Sequence, residues 1–179
     1  MYTTSQRKKS TQHEPKMNAT NAFLNLLRHP LKFRFFLFMK IPSAFFSGVR
    51  VREIDETHSV VSVPYKWFSK NPFKSTYFAC LSMAAEMSTG VLAMSHVYKR
   101  QPPVSMLVIG MEATYFKKAT GSTRFTCLDG AAIQKAIETS IATGEAQTVK
   151  ARSSGANASG EPIAEFFFTW SFKVKTSKS

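Results

Sequence analysis

Glu86 is the single acid in the stretch Ser75 to Tyr98 (STYFACLSMAAEMSTGVLAMSHVY), which Lys74 and Lys99 bracket. A carboxylate in such apolar company is paired, turned to water or kept for chemistry, because an unpaired buried charge costs several kcal/mol. As chemistry, it is a general base or a nucleophile. Thr89, three residues on, is its neighbour on a helix surface. The Thr89 hydroxyl either holds the carboxylate or a water, or bonds back to a helix carbonyl, and Ser82 and Ser88 share that second option. His58 and His96 have no partner in a recognisable catalytic arrangement and are read as ordinary residues. Cys80 and Cys127, the only cysteines, lack metal-ligand spacing; both are expected to be reduced core residues. Neither a metal site nor an organic cofactor is expected.

The residues around Glu86 spell a helix. Ala, Leu and Met dominate its middle, and all three favour helix. Apolar residues recur at Phe78, Leu81, Ala85 and Leu92, and again at Tyr77, Ala84 and Val91. That spacing covers most of the circumference, so the helix is expected to be buried on more than one side. Strands must supply the cover. Phe45–Ile54 and His58–Tyr65 read as two strands with Asp55-Glu56 as the turn. Val104–Phe116, Ser122–Leu128, Ala146–Arg152 and Ile163–Val174 follow. The last alternates most clearly: Ala164, Phe166, Phe168, Trp170, Phe172 and Val174 share one face. Asp129 is placed to cap a short helix, Gly130–Thr143, and Ser153–Gly160 reads as a turn. Two strands, a long apolar helix and four more strands imply an α+β architecture, an antiparallel sheet with the helix laid across one face.

The chain has 179 residues and a net charge of +13, which fits one domain with a proper core. The charge is uneven. Residues 1–52 hold ten Lys/Arg against Glu14 alone. Residues 1–18 read as a disordered basic arm. Residues 19–42 read as amphipathic helices, one capped at Thr20 or Asn21 and running to about Arg28, the other about Leu31–Lys40. The apolar face of the second is Phe33, Phe36 and Leu37, and Pro42 is expected to end it. Its Lys32, Arg34 and Lys40 make membrane-surface contact through residues 1–40 one expectation, and packing on the domain itself the other. The chain has no run of about 18 apolar residues, so no membrane-spanning helix is expected. With reduced cysteines, a cytoplasmic setting is expected. No helix-turn-helix or RNA-binding signature is present, so no nucleic-acid partner is expected.

The run NPFKSTYFACLSMAAEMSTG (Asn71–Gly90) resembles the loop-plus-helix signature of hotdog-fold acyl-CoA thioesterases of the phenylacetate-pathway (PaaI-like) type, and resembles the DUF4442 branch more closely still. VIGMEATYFKKATGSTRFTC (Val108–Cys127) and the ending ARSSGANASGEPIAEFFFTWSFKV resemble that family's later strands. The resemblance implies a hotdog domain over residues 43–176, about six strands wrapped around one long central helix. It implies a homodimer, with a tetramer open, whose sites lie between subunits. It places Asn71 at the family's loop Asn and Glu86 at its helix carboxylate. The backbone amides of Thr76 and Tyr77 would meet an oxyanion, Phe33, Phe36, Phe73 and Phe78 would line an acyl pocket, and Lys117, Lys118, Arg124, Lys150 and Arg152 would meet coenzyme A phosphates. Two departures stand out: Lys70 sits where a His often stands, and Lys74–Tyr77 replace the usual glycines. The expected function is thioester hydrolysis; the alternative is a non-catalytic module that binds an acyl chain or other apolar ligand.

Overall fold

The computed structural model describes residues 14–175. Three helices come first: α1 (Glu14–Arg28), α2 (Pro30–Lys40) and α3 (Pro42–Ser47). Strands β1 (Arg50–Ile54) and β2 (Ser59–Val63) follow, then α4 (Phe78–Val97), β3 (Val104–Tyr115), β4 (Thr123–Cys127), α5 (Gly130–Thr143), β5 (Gln147–Ala156) and β6 (Pro162–Val174). The six strands form one sheet in the order β1-β2-β4-β5-β6-β3, and every neighbouring pair is antiparallel. β1 and β3 are therefore its edges. This is the α+β sheet-and-helix architecture expected from the sequence.

The sheet surrounds α4. Leu92, Ala84, Ala85 and Ala93 are fully buried, and Leu81 and Met87 nearly so. Although α4 is long and apolar enough to cross a membrane, it lies mostly inside the protein's own core. The inward face of β6 is the one that the alternation specifies: Phe166 and Phe172 are fully buried, with Ala164, Phe168 and Trp170 close behind. Polar pins fix the helix against the strands. Ser59 donates its hydroxyl to the Ser88 carbonyl, Ser88 and Ser153 share a hydrogen bond of 2.8 Å, and Trp170 Nε1 donates to Thr89 Oγ1 at 2.9 Å. Each removes a buried polar group from debt, since an unmade buried hydrogen bond costs about 1–3 kcal/mol. Cys80 and Cys127 are free and buried, and burial pushes the Cys127 thiol up to about 12.

Several boundaries differ from the sequence reading. Residues 14–18, expected within the disordered arm, open α1; Pro15 suits a first helical turn, where no N–H is needed. The rest of that arm, residues 1–13, lies outside the described residues. Pro42 does not merely end α2. It starts α3, which takes up Phe45–Ser47 and delays β1 until Arg50. Gly48 closes α3 in the left-handed conformation at φ 77°. β5 runs four residues further than expected, to Ala156, because Ser153 and Gly155 are buried partners of β6 rather than turn residues. Asp129 precedes α5 without capping it; its Oδ2 accepts from the Arg152 amide at 2.6 Å.

α5 packs against the β1–β2 turn at Gly130. A Cβ added there would lie 2.4 Å from the Glu56 carbonyl oxygen and 2.6 Å from Thr57 Cα, both backbone atoms. Gly130→Ala should therefore destabilise the chain by about 1–3 kcal/mol, the usual cost of overpacking. At about 2–4 °C per kcal/mol for a domain of this size, a thermal melt followed by circular dichroism reads the effect. An unchanged melting temperature would show that the turn yields.

Candidate active site

Glu86 sits near the middle of α4, half-buried, and its side chain folds along the helix toward Gly90. A Cβ on Gly90 would stand 3.0 Å from Glu86 Oε1 and 3.5 Å from the Trp170 ring. The missing side chain four residues on is what leaves room for the carboxylate. Around it is an apolar pocket of about 130 Å³, lined by Phe23 and Leu27 of α1, Phe33, Phe36 and Leu37 of α2, Ile41, Met106 of β3, and Met87, Gly90, Val91 and Met94 of α4. Among the described residues no hydrogen bond or ion pair reaches the carboxylate. Burial alone pushes the Glu86 carboxyl above its ordinary 4.5. Desolvation without a compensating cation produces that direction.

Asn71 lies in a different place. Its Oδ1 accepts from the Phe73 amide, the Ser75 amide and the Ser75 hydroxyl, and the backbones of Asn71 and Ser75 also pair. The side chain thus holds the loop that leads into α4. Within that loop Lys74 adopts φ 58°, the left-handed region that a glycine occupies without strain. A lysine therefore stands at one of the positions where glycines were expected. Asn71, Phe73, Tyr77 and Phe78 border an open cleft of about 550 Å³ with Tyr115, Phe116, Lys117 and Lys118. The expected acyl-pocket residues are divided within one protomer: Phe33 and Phe36 belong to the Glu86 pocket, and the exposed Phe73 and Phe78 to the Asn71 cleft.

Three expected roles are corrected by hydrogen bonding. Thr76 N donates to the Ala119 carbonyl at 2.8 Å and Tyr77 N to the Ser69 carbonyl at 2.7 Å, so neither amide is open to an oxyanion. The first amides of α4 without a partner among the described residues are those of Phe78 and Ala79. Thr89 donates to the Glu86 carbonyl and accepts from Trp170, so its hydroxyl serves the helix and not the carboxylate. Ser82 and Ser88 likewise bond back to helix carbonyls. The basic residues also sort themselves. Lys117 pairs with Glu161, Lys150 with Glu112 and Arg152 with Glu165. Lys118 and Arg124 are exposed and have no ion-pair partner among the described residues.

The sequence reading missed a basic groove. Arg28, Arg34, Arg50 and Arg52 border a groove of about 710 Å³ that also takes in Glu53 and Asp55, and it shares Leu27 and Phe33 with the Glu86 pocket. Arg28 donates to the Ile54 carbonyl, and Arg52 to Ser62 Oγ at 2.7 Å. The alternation VRVR at residues 49–52 was the available signal. His58 pairs with Asp55 at 2.7 Å within the β1–β2 turn, and His96 reaches that turn from α4, its Nε2 3.2 Å from the Glu56 carbonyl. Among the described residues no cluster of three metal-ligating side chains occurs.

An antiparallel sheet curled around one long buried helix is the hotdog fold. The chain belongs to the DUF4442 family, a domain of unknown function whose model matches residues 32–171. Solved structures agree on the fold. A Pseudomonas aeruginosa protein of unknown function, described as a probable thioesterase, superposes with a TM-score of 0.69 at 20% identity, covering 82% of this chain and 97% of its own. The Escherichia coli PaaI protein of the phenylacetic acid degradation operon gives 0.56 at 13% identity, covering 79% and 90%. A Haemophilus influenzae thioesterase gives 0.58 at 9%, covering 76% and 86%. No curated protein matches the sequence.

The raised Glu86 carboxyl makes stability depend on pH in a definite sense. A folded-state value above the unfolded one means that the folded chain holds the proton more tightly, so stability falls as pH rises through the folded value. Glu86→Gln keeps the shape and removes the ionisation. The variant should melt higher than the native chain at pH 8, and the gap should close below about 4.5, where both states are protonated. A gap that stays constant across that range in scanning calorimetry would show that desolvation does not act on Glu86.

Proposed function

We propose that the chain is a homodimeric acyl-CoA thioesterase in which the Glu86 pocket of one protomer meets the Asn71–Phe78 cleft of the other. The observation that carries this reading is a carboxylate held without a partner among the described residues, and pushed up by burial, in an apolar pocket. Structural groups of that kind are costly to keep, and their perturbed proton affinity suits acid–base work. Glu86 acts as general base, taking a proton from the water that adds to the thioester carbonyl, or as nucleophile attacking it directly. The free amides of Phe78 and Ala79 begin a helix whose N-terminal end favours negative charge, and they are the donors for the developing oxyanion. On the base route the C–S bond breaks and the thiol leaves with the proton that Glu86 took from water. On the nucleophile route the thiolate leaves and takes a proton from solvent, and water then hydrolyses the acyl–Glu86 anhydride.

Glu86 lies about 12 Å along α4 from that end, so the two parts cannot serve each other within one chain. The dimer resolves this. Among the described residues β3 is a free sheet edge carrying the exposed Leu107, Ile109 and Met111, and an unpaired apolar edge invites a second strand. Phe33 and Phe36 with the partner's Phe73 and Phe78 then line the acyl site. Lys118, Arg124 and the arginines of the adjoining groove supply charge for the phosphates of coenzyme A. Two buried, reduced cysteines suit a cytoplasmic setting.

A second reading has a specific observation behind it. The Asn71 carboxamide oxygen is spent inside its loop, and the amides of Thr76 and Tyr77 are spent on carbonyls, which suits a module that binds an acyl ligand without cleaving it. Hydrolysis of an acyl-CoA panel, read as free thiol, separates the two. Thioesterase activity with a loss of about 10²–10⁴-fold in Glu86→Gln supports the enzyme. Ligand binding without turnover in the native chain supports the module. Sedimentation velocity should give twice the chain mass; a fully active monomer would sink the shared site.

A further inference from the structure

We propose that the outer face of α2, together with α3 and the turn Trp67–Ser69, docks the protein on an anionic lipid surface. α2 has two apolar faces. The inner one, Phe33, Phe36 and Leu37, packs on the core and walls the Glu86 pocket. The outer one is Leu31, Phe35, Phe38 and Met39, at spacings of four, seven and eight residues from the first, and these side chains are 74%, 67%, 47% and 59% exposed. A helix that covers one apolar face while presenting a second to water needs another apolar phase on that side.

The patch does not stop at the helix. Phe38 touches Phe46 of α3, Phe46 touches Phe68 and Phe68 touches Trp67, with ring centroids 6.5, 5.9 and 6.2 Å apart. Phe46 and Phe68 are about half exposed and Trp67 is 79% exposed. Aromatic rings of this kind favour the boundary between head groups and acyl chains.

Charge identifies the occupant. No Asp or Glu occurs from Pro15 to Arg52 or from Thr57 to Ala85, the two segments that build the patch. The exposed Lys32, Lys40, Lys66 and Lys70 belong to these segments, and none forms an ion pair among the described residues. A second copy meeting the same patch across a two-fold axis would bring lysine against lysine, which disfavours self-association here. An anionic bilayer complements both components: the apolar face enters the boundary region and each lysine is attracted to the negative surface. Docked in this way, α2 separates the lipid from the Glu86 pocket by one helix. The proposal stands on surface geometry and charge and does not depend on the thioesterase reading.

The test is co-sedimentation of the full chain with vesicles of phosphatidylcholine alone and of phosphatidylcholine mixed with phosphatidylglycerol. The native chain should bind the mixed vesicles about tenfold or more tightly than the neutral ones, and high salt should weaken that binding. The double variant Phe35→Gln/Trp67→Gln keeps every charge, including that of residues 1–13, and should bind about tenfold or more weakly at an unchanged melting temperature. A second variant, Lys32→Glu/Lys40→Glu, reads the electrostatic part independently and should lose the preference for mixed vesicles. Native binding that ignores phosphatidylglycerol, absence of binding, or aromatic variants that bind as well as the native chain would each overturn the proposal. So would sedimentation velocity showing that the aromatic variant breaks up an assembly of the native chain, which would give the patch to a second copy.

Discussion

Everything in this molecule is arranged around the need to take α4 out of water. Its surface is apolar on all sides, so no orientation on the outside of a sheet would satisfy it. A fully buried leucine such as Leu92 contributes about 1.5–3 kcal/mol, and α4 repeats that gain along most of its length. The strands of one antiparallel sheet curl far enough to cover most of the circumference, and α1, α2 and α5 close what the sheet leaves open. Serines placed where the helix meets a strand keep this burial from leaving polar groups unpaired. Ser88 alone touches its own helix and β5, while its carbonyl accepts from β2.

The same constraint gives Glu86 its character. In a helix so largely enclosed, a carboxylate has few places to go, and Gly90 makes room for it by leaving a gap four residues on. The side chain then points into a pocket that α1 and α2 close over α4 and Met106 of β3. The N-terminal helices are therefore what make the pocket. They also carry the apolar outer surface and much of the basic charge, so the segment that roofs the pocket is the one with the most unusual exterior. Across the molecule, the entry to α4 forms a second, separate cleft. Its loop is held by Asn71 and by a lysine in a left-handed conformation, with backbone amides turned inward to carbonyls of neighbouring segments.

Much of the architecture was legible in the sequence. The period-2 alternation of Ile163–Val174 identified the inward face of β6 residue by residue, and the enclosed helix was announced by its lack of a polar stripe. α5 spans Gly130–Thr143 and is closed by Gly144 as expected, although Asp129 does not cap it. Boundaries failed where local chemistry admits two outcomes. Pro42 both stops one helix and suits the first turn of another. SSGA reads as turn chemistry, yet pairing with β6 makes it strand, because long-range hydrogen bonds outweigh local preference.

Of the site, residue types and spacing alone determined that Glu86 lies on a buried helix with no neighbouring counter-charge in sequence, and that a basic, aromatic segment precedes the sheet. Only the tertiary structure decided what each hydroxyl, amide and cation is paired with. Thr89 turned to Trp170, 81 residues away. The Thr76 amide went to Ala119, and Arg152 and Lys117 went to acids on or beside β6. Those partners are distant in sequence and are brought together by strand register, which periodicity sets for a face but not for an individual hydrogen bond. For α2 the spacing named the inner face, Phe33, Phe36 and Leu37, and only the tertiary structure showed that Leu31, Phe35, Phe38 and Met39 stay uncovered.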